Sequence, residues 1–407
     1  RRDGVAGGGL EAALDAHLRA EDGCRVVLAD ARRRAVWPLP EASRPARDGA
    51  NVFLTLDVVI QRTLADAVAE AVHHHRATWG TGVVVDPNTG AVLAMCSVPT
   101  FDPNAYGRTI SEQRTNRAVC TPYEPGSVAK PIFAAAAVNA GALTWDSRLD
   151  CENGSYVARG GGRISDHHPY GLLPLRDVVV KSSNVGMAKV GERLGNGRLD
   201  DIARWFGLGA RTGVGLGGES PGILRPRDAW DGYSTRRVPF GQEISVTALQ
   251  LTMAFASLVN GGELLRPRLV DRIVAADGAV VAQGRREVVR RTLRPDVSAS
   301  TREVLRQVVE RGTGKRCRLN QWTSLGKTGT AQIAGRGGYV DGAYTASFVG
   351  AAPASRPELV CAISIYWPRE HGYYGGTVAA PRVKDVLERA LAYRGVPGDR
   401  DGWTDGD

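Results

Sequence analysis

Hydrophobic positions in the first 48 residues come in short pieces, a helical "LEAALDAHLRAE" and a strand-like "CRVVLAD", set in Gly- and Arg-rich text. That stretch holds too few apolar residues for a core of its own. From Asn51 the pattern becomes regular. "NVFLTLD" alternates apolar and polar as a strand does, and Asp57 is placed to cap a helix reaching about His75. "TGVVVDPNTGAVLAMCSV" reads as a hairpin turning at Asn88-Thr89-Gly90. A helical middle runs from about residue 125 to 260, broken by a Gly-rich excursion at 154–173. "RIVAADGAVVAQ" is a second hairpin, turning at Asp277-Gly278. A helix at 299–311 leads to extended segments at 322–334, 343–352 and 358–367, then a closing helix at about 381–394. Strands at both ends with helices between them predict an α+β fold. Its central antiparallel sheet is drawn from both ends of the chain and flanked by helices, with a helical block inserted.

Within that pattern, "YEPGSVAKPIFAAAAV" places Ser127 three residues before Lys130, behind the turn signal Pro125-Gly126 and at the mouth of a buried helix ending near Gly141. Residues i and i+3 share a helix face, with Cβ atoms about 5–6 Å apart. The hydroxyl and the amine then sit together at a helix N-terminus, where backbone N–H groups point outward. This spacing fits a nucleophile with its base, and equally an N-cap serine with a surface lysine. The spacing recurs at Ser324-Leu-Gly-Lys327, but there the text is extended, and on a strand i and i+3 point to opposite faces.

Composition narrows the field. With 407 residues, 43% hydrophobic and 23% charged, this is ordinary globular material for one large domain or two modest ones. The net charge of +9 is almost all arginine, scattered without a basic helix or an aromatic-interleaved strip, so nucleic acid is not an indicated partner. Lysine occurs only at positions 130, 181, 189, 315, 327 and 384. Arginine stays protonated, whereas a buried lysine can become a neutral base, so Lys130 points to chemistry arginine cannot do. The six cysteines show no C-x-x-C spacing, and zinc is not expected. Cys96 and Cys361 read as small buried hydrophobes. His73-His74-His75 reads as a solvated helix end. No apolar stretch reaches membrane-spanning length.

Two further motifs decide the chemistry. Ser182-Ser183-Asn184 is the only Ser-x-Asn in the chain, and Lys327-Thr328-Gly329 the only Lys-Thr-Gly. Alone, the first is a cap before an amphipathic helix and the second a polar strand with a close backbone approach. In the order Ser-x-x-Lys, Ser-x-Asn, Lys-Thr-Gly they are the motif set of penicillin-binding proteins and serine β-lactamases. The segments "VFLTLDVVIQRTL", "GVVVDPNTGAVLAMCSVPTFDPNAY", "NRAVCTPYEPGSVAKP", "KSSNVGMAKV", "FGQEISVTALQLTMAFASLVNGG", "GKTGTAQ" and "YYGGTVAAP" together resemble a class B penicillin-binding protein over about Gly49 to Arg394. "NRAVCTPYEPGS" and "SSNVGMAKV" are more similar to its septal, division-type branch. Glu243, where the family often has glycine, and Arg382, where it has an apolar residue, depart from the pattern.

The resemblance implies a penicillin-binding transpeptidase fold over residues 49–396, preceded at 1–48 by the remnant of an N-terminal pedestal domain and followed by a polar tail at 397–407. The parent protein would be anchored by an N-terminal helix on the extracytoplasmic face of the bacterial cytoplasmic membrane. The implied activity is a peptidoglycan D,D-transpeptidase of septal wall synthesis that β-lactams acylate. Its partners would be stem peptides, a septal glycan polymerase and other division proteins, with no metal or cofactor. Ser127 would be the nucleophile, Lys130 its base and Ser182 a proton relay. Asn184 would hold Lys130 and the substrate amide. Lys327 would lower the pKa of Lys130 and, with Thr328, Gly329 and Thr330, bind the substrate's carboxylate along a strand. The backbone N–H groups of Ser127 and Thr330 would form the oxyanion hole. Three alternatives stay open: a serine β-lactamase using Glu219 as water-activating base, a D,D-carboxypeptidase, and a catalytically silent scaffold.

Overall fold

Asp57 acts as its position asks: its carboxylate accepts from the N–H groups of Val59 (2.9 Å) and Ile60 (3.1 Å), starting helix α1 (Val58–His74). The structure, a computed structural model, describes residues 8–158, 162–335 and 337–400. The chain forms two units. The first comprises the chain up to Thr55 with Gly215–Gly217 and Arg268–Arg285, and the second Leu56–Val214, Gly218–Pro267 and the chain from Arg286 onward.

In the first unit, short helices Gly9–Ala13 and Asp15–Leu18 precede a two-stranded ribbon, Val27–Ala29 with Ala35–Pro38. The hairpin expected at Asp277-Gly278 forms, as strands Val270–Val274 and Val280–Gln283. It pairs with Asn51–Leu54 in a three-stranded sheet, so the strand "NVFLTLD" does not join the central sheet.

The second unit is built on five antiparallel strands, β1 (Trp79–Val85), β2 (Val92–Val98), β3 (Leu325–Gly335), β4 (Gly338–Ala352) and β5 (Leu359–Tyr366), ordered β3-β4-β5-β1-β2. The ladder between β5 and β1 joins the two ends of the chain, from Val360↔Val85 to Tyr366↔Trp79. Every residue of β1 is buried, which requires cover on both faces of the sheet. The helices that supply it and carry the site are α2 (Lys130–Asn139), α3 (Leu175–Lys181), α4 (Asn184–Trp205), α5 (Ala248–Val259), α6 (Pro295–Glu310) and α7 (Ala380–Tyr393). On one face Leu64 and Val68 of α1 and Val383 and Leu387 of α7 pack with Phe348, Ile363 and Ile365 of the sheet. All of α5 and Lys130–Ala137 of α2 are buried, as expected of helices apolar on every side. The Gly-rich excursion is a hairpin, Ser155–Ala158 with Gly162–Ser165.

Departures from the sequence pattern have local causes. Helix α6 begins at Pro295 rather than 299, because proline suits the first helical position. Strand β4 begins at Gly338 rather than 343, because its exposed outer end carries no apolar alternation. The histidine run is not simply solvated: His75 is buried, its Nδ1 lies 2.9 Å from Glu370 O, and His74 stacks on His371. Arg382 leaves α7 in place by pairing with Glu70 at 2.7 Å. All six cysteines are free thiols, with Cys96 and Cys361 in the core. Beyond α7, Asp399 accepts from Thr323 N at 2.6 Å and Trp322 Nε1 donates to Pro397 O at 3.0 Å, while residues 401–407 lie outside the described residues.

Phe348 shows how tightly the sheet near β3 is filled. Its ring occupies space left by the paired Gly326 and Gly350, where added Cβ atoms would come within 2.6 and 3.0 Å of it. Phe348→Ala should therefore lower the unfolding free energy by about 3–5 kcal/mol, read as a fall in the urea midpoint. A cost below about 1 kcal/mol would mean that the ring is not packed in this way.

Candidate active site

The segment that delivers Ser127 is fixed before the helix begins. Tyr123 exchanges both backbone hydrogen bonds with Val246 (3.0 and 2.9 Å), and Gly126, with φ of 54°, donates to Gly241 O at 3.0 Å. A 3-10 turn over Gly126–Ala129 then leads into α2. Half-buried Ser127 thus lies one turn outside the α-helix itself. Strand β3 presses on this segment at Gly329, where a Cβ would meet Pro125 O and Val128 Cγ2 at 2.8 Å each. Only glycine permits that approach.

Lys130 is fully buried, and its Nζ donates to Ser182 O (2.5 Å), Ser182 Oγ (3.2 Å) and Asn184 Oδ1 (2.8 Å). Ser127 Oγ is not among these partners. Ser182 caps α3 in the left-handed region, φ 61°, a conformation that costs a non-glycine residue about 1–3 kcal/mol and marks functional sites. From β3, fully buried Lys327 donates to the same Ser182 Oγ (2.9 Å) and to Thr328 O (3.1 Å). Two buried amines therefore meet at one hydroxyl.

Burial drives both amines toward the neutral form. For Lys130 it overrides the opposing pull of Asp166 and lowers the pKa to about 7. Lys327 is pushed well below its ordinary value, first by burial and then by the charge of Lys130. Burial is the first cause for both amines, and the repulsion between their two charges, which is mutual, acts in the same direction.

The remaining motif residues are close but differently engaged. Asn184 Nδ2 donates to Ser165 O at 2.9 Å, fixing its amide with the oxygen toward Lys130. Thr328 Oγ1 pairs with Thr313 Oγ1 at 2.7 Å, and Thr330 Oγ1 accepts from Gly375 N at 3.1 Å. The second Ser-x-x-Lys does not pair internally: buried Ser324 donates to Cys317 O at 2.8 Å. Glu219 caps a loop, accepting from Thr212 N (2.6 Å), Thr212 Oγ1 (2.5 Å) and Gly213 N (3.3 Å).

Sequence reasoning missed Asp166. Its Oδ2 accepts from Ser183 Oγ (2.6 Å) and its Oδ1 from Asn184 N (2.5 Å) and Val185 N (3.0 Å), while Ser183 Oγ accepts from Gly186 N at 2.9 Å. This double cap holds the start of α4 and hence the Asn184 side chain. Nothing in "ISDHHPYG" sets this aspartate apart by pattern, since its partners come from a different element.

Residues 80–388 match the family described as the penicillin binding protein transpeptidase domain. The chain is 35% identical over 396 residues (97% of its length, 66% of the relative) to the probable peptidoglycan D,D-transpeptidase PenA of Neisseria meningitidis serogroup A. It is 36% identical over 403 residues (96% of its length, 62% of the relative) to penicillin-binding protein PbpB of Mycolicibacterium smegmatis. It thus spans about two thirds or less of these relatives. A crystal structure of penicillin binding protein 3 from Mycobacterium tuberculosis complexed with ampicillin superposes with a TM-score of 0.87 at 35% identity, covering 99% of this chain and 88% of that one.

The electrostatics predict how Asp166→Asn behaves. Removing the carboxylate removes the pull that raises the pKa of Lys130. The acid limb of acylation by benzylpenicillin, expected near pH 7 in the unaltered chain, should then move to lower pH. The plateau rate should also fall, because an asparagine cannot accept from all three of Ser183 Oγ, Asn184 N and Val185 N with an amide nitrogen facing one of them. Adduct formation followed from pH 5.5 to 8.5 checks both; an acid limb that moves to higher pH would refute the assignment.

Proposed function

We propose that this chain, which belongs to the class B penicillin-binding transpeptidase family, catalyses D,D-transpeptidation of peptidoglycan stem peptides through an acyl-enzyme on Ser127. The observation that carries this reading is the convergence of Lys130, Ser182, Asn184 and Lys327, from three different motifs, into one hydrogen-bonded cluster at the start of α2, the helix that directly follows the turn carrying Ser127.

In this mechanism neutral Lys130 removes the Ser127 proton as Oγ bonds to the carbonyl carbon of the penultimate D-alanine. Negative charge developing on the carbonyl oxygen faces the N–H groups of Ser127 and Thr330. The C–N bond breaks, and the terminal D-alanine leaves as an amine that takes its proton through Ser182, which touches both lysines. An amine from a neighbouring stem peptide then attacks the ester and releases Ser127. Lys327, with the hydroxyls of Thr328 and Thr330, binds the donor's terminal carboxylate. That anion supplies the counter-charge that makes protonating Lys327 favourable despite its burial. Gly329 leaves the donor room to lie along β3 as an added strand. This chemistry needs no metal or cofactor.

β-Lactams would acylate Ser127 in the same way, in keeping with the ampicillin complex of the mycobacterial relative. Assignment to septal synthesis rests on the division-type character of "NRAVCTPYEPGS" and "SSNVGMAKV". The setting is the extracytoplasmic face of the membrane, with a glycan polymerase and division proteins as partners. No described helix is long and apolar enough to cross a membrane. The carboxylate of Glu219 is occupied by Thr212 and Gly213, which argues against its activating water as in a β-lactamase. A D,D-carboxypeptidase would differ only in using water as the acceptor.

The two lysines test the division of roles. Lys130→Arg should slow acylation of Ser127 by about 100- to 10,000-fold, because a guanidinium cannot serve as base near neutral pH. Lys327→Arg keeps a cation suited to a carboxylate and should retain measurable acylation. Mass spectrometry of timed benzylpenicillin reactions, on variants checked for folding, reads both. Normal acylation by Lys130→Arg would remove the base assignment. Equal loss in the two would show the roles to be wrongly divided.

A further inference from the structure

Glu124, three residues before Ser127, is a half-buried carboxyl group that the proposed chemistry does not use. Its neighbours fasten the nucleophile's segment by backbone bonds or, for Tyr123, by a hydroxyl 2.5 Å from Ser364 Oγ on β5. The Glu124 side chain reaches further. Its Oε1 accepts from Glu243 N at 2.9 Å, and its two oxygens accept from the Tyr339 hydroxyl at 3.2 and 3.1 Å. Tyr339 stands near the start of β4, opposite Ala334 near the end of β3, the strand that carries Lys327 to Thr330. Glu243, one of the chain's departures from its family, takes a left-handed φ of 63° and commits its own carboxylate to Arg225 and Ser234. Its N–H is thereby aimed at Glu124.

We propose that Glu124 is a positioning residue for Ser127: its carboxyl group ties the segment delivering the nucleophile to the loop at Glu243 and to the outer end of the β3–β4 hairpin, fixing Ser127 against the strand on which the acyl donor lies. The proposal rests on the transpeptidase reading and adds to it a residue outside the three motifs. Gly329 presses β3 onto Pro125 and Val128 at one point, and a second fastening at Tyr339 stops the hairpin from rotating about that contact. A misplacement of about 1 Å at a reacting centre can cost on the order of 100-fold in rate.

The groups facing Glu124 also give it a signature in pH. Burial disfavours its charge most, and the Glu243 carboxylate adds to this. The hydrogen bonds from Glu243 N and Tyr339, with the charge of Arg237, work the other way, and the result is a pKa raised to about 7. A carboxyl raised above its unfolded value contributes stability that is complete below the unfolded pKa and is lost as pH rises through the folded one. As pH rises from the ordinary carboxyl value of 4.5 to about 7, the unaltered chain should therefore lose thermal stability that Glu124→Gln does not lose.

The test is benzylpenicillin acylation, resolved into the dissociation constant of the initial complex and the acylation rate constant. Glu124→Ala should lower the rate constant by about 10- to 100-fold, with the dissociation constant little changed. Glu124→Gln, which keeps an acceptor for Glu243 N and can pair with the Tyr339 hydroxyl, should restore most of the rate. Tyr339→Phe should lower the rate less, and should add little to Glu124→Ala if the two act as one fastening. This variant also serves if Glu124→Ala fails to fold. Acylation by Glu124→Ala at the unaltered rate, a change confined to the dissociation constant, or no rescue by glutamine in a folded protein would each overturn the proposal. Absence of any adduct on Ser127 in the unaltered chain would instead refute the underlying transpeptidase reading.

Discussion

Two lysine amines, both out of contact with water, share a single serine hydroxyl at 3.2 and 2.9 Å. Much of the unit's architecture is explained by what that requires. A buried ammonium is costly unless paired, and two of them side by side compound the cost. Burial therefore favours neutral amines. A neutral amine is a base, so the constraint that makes the cluster expensive also makes it reactive. Placing the amines together takes three elements: α2 brings Lys130, the α3–α4 junction brings Ser182, and β3 brings Lys327. None can shift without breaking the shared contact, and the packing around them is correspondingly tight, with glycines where β3 meets the nucleophile's segment and where Phe348 fills the sheet.

The sequence was legible where a local rule acted alone. Asp57 capped α1, Asn88-Thr89-Gly90 turned the first hairpin, and strands from the two ends formed one antiparallel sheet. The motif residues were legible because a known triplet names them, and the cluster Lys130–Ser182–Asn184–Lys327 is how they meet. What spacing could not supply was the direction of each side chain. The i, i+3 relation of Ser127 and Lys130 suggested a direct pair, whereas Lys130 spends its hydrogen bonds on Ser182 and Asn184. The Thr328 hydroxyl, assigned to the substrate's carboxylate, also meets the Thr313 hydroxyl at 2.7 Å, a partner no spacing announces. The strand at Asn51 and the hairpin at Asp277-Gly278 were each recognisable, but their pairing with each other spans more than two hundred positions and has no local signal.

Asp166 was illegible for the same reason, and it also explains how the base is poised. A carboxylate in direct contact with Lys130 would hold it permanently as an ammonium, useless for taking a proton from Ser127. Asp166 avoids this by committing its oxygens elsewhere: Oδ2 to Ser183 and Oδ1 to the N–H groups of Asn184 and Val185. It still acts on Lys130 through its charge, raising an amine that burial alone would leave lower. Contact with Lys130 is left to neutral oxygens, the Ser182 carbonyl and hydroxyl and the Asn184 amide. Neutral acceptors stabilise an ammonium less than a carboxylate would, so the proton can leave. A pKa of about 7 is the balance of strong desolvation, neutral contacts and one charge held at a distance by backbone N–H groups. The helix cap and the catalytic base are thus a single arrangement: the carboxylate that starts α4 sets the charge felt by the amine, and saturating that carboxylate with cap hydrogen bonds keeps it from neutralising the base it tunes.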